Sequence, residues 1–436
     1  MSQASLSHSH GHGHDHAAHG HVEPQIAARA LLKPELVKCE SGMFRMLGYG
    51  LMLAGVLGLV LTGVIGFGSK EASRQAVAAY HMGFLFCVGL SVGCLGFQMI
   101  LQQFNAGWSA ALRRQAENVA AMVWVCALLF IPIALNAFIG GNEYKLFSWM
   151  NPEHTAGDLL FQKKAAWLNP EFWAIRAAVY FLVWIALSQR LARLSRKQDE
   201  TGDRWLTAKA RRTSSYGLLL FALTTAFASF DWLMSLDYHW FSTMFGVYFF
   251  AGSIVSAVAV IILILGLAVG AGKLTGLVTS EHFHDAGKLL FAFIVFWAYV
   301  TFSQYFLIWY SNIPEESAFY NLRQIGAWRQ VSIFLAFGHF IIPFLFVLFR
   351  GTKRNRRLLM LAALWMLAMH ALDLFYIVRP VLKSVPLGER LHLDVLGLLG
   401  PVCLFLGLVL RKVVSAPLMP LKDPRLHEAL EHKNYV

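Results

Sequence analysis

Ten stretches of this chain, at residues 46–67, 80–103, 118–140, 172–190, 215–235, 241–269, 286–310, 328–350, 357–377 and 393–413, are each dominated by apolar side chains over about 20 residues. That is the length an α-helix needs to cross about 30 Å of hydrocarbon. In lipid every backbone N–H and C=O must find its partner within the protein, so runs of this kind leave little choice but helices. The expected fold is therefore all-α and polytopic. A ten-helix membrane domain over 46–413 follows a disordered tail (1–45) and precedes a polar C-terminal tail (414–436). The fourth run, "FWAIRAAVYFLVWIALS", is the weakest because Arg176 interrupts its start.

A net charge of +12 raises the question of nucleic acid. In a multi-span protein, however, Lys and Arg collect in the loops that are not translocated. The two tails and the even-numbered loops, together with the run ends that flank them, hold 26 of the 37 Lys and Arg residues, with "RLARLSRKQDE" and "RGTKRNRR" the densest runs. Both termini are accordingly expected in the cytoplasm, and no nucleic-acid partner is needed. The five cysteines, Cys39, Cys87, Cys94, Cys126 and Cys403, form no CxxC or CxxCH. The chain thus offers no iron–sulfur cluster and no covalent haem attachment.

Three matches in order point to an internal repeat. Runs five and nine end in "FASFDWLM" and "MHALDLFY", each with one Asp. Runs four and eight open on a Trp near an Arg, Arg176 and Arg329. Runs two and six follow Tyr80-His81 and Tyr238-His239. Two related four-helix bundles, runs 2–5 and 6–9, with runs 1 and 10 outside them, account for the pattern.

On the predicted topology the polar residues of the spans gather on the outer side. Asp231, Gln304, Tyr305, His370 and Asp373 fall in outer halves, and Arg176 and His81 near the outer surface. Asp237 and His239 occupy a short outer loop. His339 lies about 16 Å into run eight, near the midplane, at 1.5 Å per residue. The inner segments "LLFAFIVFWA", "IIPFLFVLF" and "LLMLAALWML" carry no ionisable group. Buried charges in a membrane are costly, so an outer cluster implies pairing or a water-accessible cavity. Pairing of Asp231 or Asp373 with Arg176 is the plain structural alternative, as is a hydrogen-bonded core role for His339. His81 and His392 read as interfacial. Paired histidines for a b-type haem are not indicated, since His339 and His370 fall at unlike depths. Thr224, Thr225, Ser253 and Ser256 reach the midplane and could extend a proton path, with Glu315 at its outer end. The tail "HSHGHGHDHAAHGH", including His8, His10, His12, His14 and His16, would bind transition metals weakly but has no defined coordination spacing.

The stretches "FDWLMSLDYHWFSTMFGVYFFAG" and "FSQYFLIWYSNIPEE" resemble the NrfD-like membrane subunits of alternative complex III, a bacterial quinol:cytochrome c oxidoreductase. The likeness covers all ten runs but not the His-rich tail. It departs at Tyr238, where the family has Pro between the acidic residue and His-Trp. The resemblance implies a multi-pass subunit of the bacterial inner membrane that holds no haem or iron–sulfur cluster and meets quinol near the periplasmic surface. Its partners would be membrane lipid, a second NrfD-like subunit, an iron–sulfur subunit and c-type cytochromes. Each quinol proton needs an acceptor within hydrogen-bond reach. The candidates are Asp231, Asp373, His370 and His339, with Arg176, Gln304, Tyr305, Asp237 and His239 binding quinone or tuning their neighbours. A scaffold or proton conductor without a quinone site is the alternative. A transporter, whose helices would break near the midplane at Pro132 and Pro343, is a third reading.

Overall fold

The computed structural model describes residues 32–434 apart from 40–41, 105 and 383–384. The tail histidines His8, His10, His12, His14 and His16 lie outside the described residues. Ten helices are long and apolar enough to span a membrane. They are α1 (Gly42–Gly66), α2 (Lys70–Gln103), α3 (Gly107–Phe138), α4 (Pro170–Thr201), α5 (Trp205–Trp232), α6 (Phe245–Gly270), α7 (Ser280–Ser311), α8 (Ala327–Leu348), α9 (Arg356–Val378) and α10 (Leu391–Val414). Several outlast their apolar runs because polar end signals, not hydropathy, fix where a helix stops. Ser69 caps α2 by accepting from the Ala72 amide, and Asn169 with Pro170 starts α4. Thr279 and His282 form a reciprocal cap on α7, and Gly202 closes α4 at φ +72°. These are the residue types that satisfy the orphan backbone groups of helix ends.

Helices α2 to α5 form one four-helix bundle and α6 to α9 a second. The first helix of each, α2 and α6, meets its counterpart at the centre of the molecule, and both are buried over most of their lengths. A helix that is apolar all round has no face to give to water and belongs at such a centre. The approach is close: a Cβ on Gly93 would lie 2.1 Å from the Ser253 carbonyl oxygen. Helices α1 and α10 pair outside the bundles across Gly48, Gly58, Gly400 and Gly407, with α10 also lying along α2. Small residues at such crossings let backbones approach where lipid offers no hydrophobic drive.

The first and last described segments lie on one face, here the terminal face. Within the segment expected to be a disordered tail, Pro34–Val37 forms a helical turn, and the Val37 carbonyl accepts from the Leu418 amide. The C-terminal segment crosses this face, burying Leu418 and Met419. It pairs with α3 through Asp423–Arg113 and with α7 through His432–Asp285.

The side toward the terminal face, expected to be the inner one, is less uniformly apolar than the sequence implied. The three quoted segments all belong to the second bundle. In the first, α3 begins well before residue 118, so Arg113, Arg114 and Glu117 are buried in the helix rather than placed in a loop. Arg114 pairs with Asp199 of α4 at 2.5 Å.

Candidate functional site

The two repeat-related Asp–Arg sets have different fates. In the first bundle Arg176 donates from Nε to Asp231 Oδ2 at 2.7 Å and from a terminal nitrogen to Oδ1 at 2.8 Å. Tyr180 donates its hydroxyl to Oδ2 at 2.7 Å and Trp167 its indole N–H to Oδ1 at 3.0 Å. Asp231 is wholly buried with its acceptor sites occupied. Rings fill the space around it: Phe130, Trp173, Phe181, Trp184 and Trp232 pack with centroids from 5.2 Å (Phe130–Trp173) to 5.8 Å (Trp184–Trp232) apart. This is a closed, bidentate ion pair of the kind that survives burial. Asp231 and Asp373 do not share one chamber, and the expected outer cluster is divided between the bundles. Nor is His81 interfacial. It is fully buried and donates from Nε2 to the Trp232 carbonyl at 2.7 Å.

In the second bundle the corresponding space is open. A cavity of about 1020 Å³ lies among α6, α7, α8 and α9, walled chiefly by aromatic and aliphatic side chains. Asp373 of α9 stands on its wall and accepts a hydrogen bond from the Tyr248 hydroxyl of α6. Arg329, the counterpart of Arg176, is exposed at the same cavity and has no carboxylate in salt-bridge reach among the described residues. Gln304 also lines it, accepting from Ser242 Oγ at 2.9 Å and donating to the Tyr320 hydroxyl at 3.0 Å. Tyr305 lines it and accepts from Gln324 at 3.2 Å. Apolar walls with a few convergent polar groups are the usual character of small-molecule sites, which run to about 1,000 Å³.

The two histidines are neighbours rather than residues of unlike depth. His339 lies flat on Trp297, centroids 3.6 Å apart, and a Cβ on Gly252 would touch both His370 (3.1 Å) and Trp297 (3.8 Å). Both imidazoles are buried, and none of their ring nitrogens meets a hydrogen-bond partner among the described residues. His370 points toward Gly89 and Gly252, between the bundles, so it backs the cavity rather than lining it. Thr224 accepts from the Trp184 indole at 3.0 Å and bonds its own helix. Ser253 and Ser256 donate to Phe249 and Gly252 carbonyls one turn back. The Thr225 hydroxyl is buried without a partner.

Asp237 and His239 lie at a smaller, more polar hollow of about 390 Å³ on the face opposite the termini. His239 Nε2 is 2.8 Å from Asp158 Oδ2. The Tyr238 hydroxyl donates to that same oxygen and is the largest influence holding Asp158 down at about 2, while burial pushes the phenol up to about 12. Phe319, Phe245 and Ile377 border both hollows. Phe319 is sandwiched between Trp240, 4.0 Å away, and the Arg323 guanidinium at 3.5 Å. Arg323 donates to the Tyr376 and Ile377 carbonyls, both at 3.0 Å, capping α9. Burial pushes it down to about 10. Glu315 is exposed on the same short helix, Pro314–Arg323.

Tyr248, Trp297, Tyr320 and Phe319 are site residues that sequence reasoning passed over. The available signal was a Tyr inside an apolar run, since a buried phenol seeks a polar partner.

No family model matches the chain, and no curated protein matches it.

Proposed function

We propose that this multi-pass membrane protein is a quinol-handling subunit of a respiratory quinol:cytochrome c oxidoreductase, with its quinol site in the second bundle. The observation that carries the reading is the contrast between the repeats: the Asp231–Arg176 pair is closed and packed with rings, while the Asp373–Arg329 set borders a cavity of about 1020 Å³. Resemblance to NrfD-like subunits supports it, and the Lys and Arg distribution supplies the expected orientation, with the cavity toward the periplasm and the termini cytoplasmic.

Oxidation of a quinol breaks two O–H bonds and releases two protons and two electrons. The electrons leave to iron–sulfur and c-type haem groups of partner subunits. Within this chain Asp373, held in place by the Tyr248 hydroxyl, receives the two hydroxyl protons in turn, passing the first on toward water before it takes the second. The aromatic walls hold the ring by stacking, and Gln304 and Tyr305 offer hydrogen bonds to its oxygens. The hollow beyond Phe319, with Asp237 and His239 on it, is the short way to water for the released proton.

Asp373→Asn keeps the shape and the Tyr248 contact but cannot take up a proton. In the purified complex it should slow quinol oxidation by about 10²-fold or more, the scale of a positioned acid–base group, while assembly is retained. Full turnover by that variant would remove the reading. It would leave the scaffold role, which the closed Asp231–Arg176 set favours for the first bundle.

A further inference from the structure

The cavity is bounded unevenly by its two outer helices. Helix α7 packs on α8 from the middle of α8 to its terminal-face end, where Phe291 stacks on Phe344 at 5.0 Å. Over Ala327–Leu335 the two backbones draw apart, and only the short helix Pro314–Arg323 bridges them, at the opposite face. The divergence begins at a π-helical turn, Ala336–Ile341, followed by Pro343. Proline has no N–H for the carbonyl four residues back, and a wide turn absorbs the missing bond.

Two rows of side chains face this V-shaped gap, Val295, Tyr299 and Phe302 on α7 and Ile333, Ala336 and Phe340 on α8. Tyr299, Phe302 and Ile333 are 65, 64 and 50% exposed. Gln304, Tyr305, Gln324 and Arg329, the amide, phenol and guanidinium groups nearest the helix ends, line the cavity at its opposite-face end. Along the helix axis the hollow is thus polar at one end and apolar at the other. Its size, about 1020 Å³, exceeds what a lone aromatic head group needs.

We infer that the gap between α7 and α8 is a lateral portal, through which a long-chain isoprenoid quinol enters from the bilayer with its head toward Asp373 and its chain left lying between the two rows. The inference rests on the reading of this cavity as the quinol site. A chain left in the gap stays among apolar groups, so it sacrifices little by leaving lipid, whose tails are as apolar as the lining.

The test uses the full chain in lipid nanodiscs and two probes, a long-chain isoprenoid benzoquinone and its chain-less analogue. Ile333→Phe combined with Ala336→Phe, and separately Val295→Phe, add bulk to exposed positions of the gap without touching Asp373 or Tyr248. The portal requires that long-chain affinity fall by about tenfold or more while chain-less affinity stays within about threefold. Equal loss of both probes, or no change in either, would overturn it. If the unaltered protein binds neither probe, the quinol reading itself fails, and the portal with it.

Discussion

At the scale of single residues, the informative contrast is between two carboxylates that sequence alone treats alike. Asp231 and Asp373 each sit near the end of an apolar run that carries no other acid. Only the packed structure separates them, because an Arg, a Tyr and a Trp converge on Asp231 from α4 and the segment before it. A buried pair of this kind is far more costly to break than to replace. Arg176→Met alone should therefore destabilise the protein by about 3–5 kcal/mol, whereas Arg176→Met with Asp231→Leu should regain most of that loss. Thermal unfolding in detergent micelles measures both; a double variant no more stable than the single one would contradict the closed-pair description. His339 and His370 teach a related lesson. Counting along separate runs placed them at unlike depths, but His339, on a π-helical turn of α8, stacks on Trp297, and His370 lies beside Gly252 next to that same ring.

At the scale of elements, the ten runs were legible because apolar length is a local property. Their true ends were not, since caps such as Ser69 and Thr279 lie in polar flanks that hydropathy passes over. The cost was the misplacement of Arg113, Arg114 and Glu117 in a loop. Close crossings were equally hidden: glycines are scattered through eight of the ten runs, and only the structure tells which ones touch a backbone. Gly93 does, against Ser253, while Gly63 meets nothing within 4 Å. Gly93→Ala should force α2 from α6 and cost about 1–3 kcal/mol, the usual penalty of overpacking, and Gly63→Ala should be neutral within about 0.5 kcal/mol. Equal melting temperatures for the two variants would show that the central crossing is looser than described. Cys87 and Cys94, seven residues apart on α2, are both fully buried.

At the scale of the whole molecule, the C-terminal segment ties the bundles together on the terminal face, through Asp423 to α3 and His432 to α7. Burial pushes the Asp423 carboxyl up, but the Arg113 guanidinium and the Arg425 backbone N–H together outweigh it, and the net position is below the ordinary 3.8. A carboxyl depressed in the folded state stabilises fully above its unfolded pKa and loses that contribution as pH falls through the folded value. Hydrogen exchange of residues 417–430, corrected for intrinsic rates, should thus be unchanged from pH 8 to about 5 and quicken only below about pH 4. Loss of protection already at pH 6 would sink the assignment of Asp423 as the anchor. What the sequence determined unaided was the number of membrane helices, their order and their grouping into two related bundles plus an outer pair. Each of those follows from apolar length and repetition along one chain. Tertiary structure decided which bundle is filled and which is hollow. That outcome depends on ring volumes and helix tilts contributed by four helices at once, and no single run contains it.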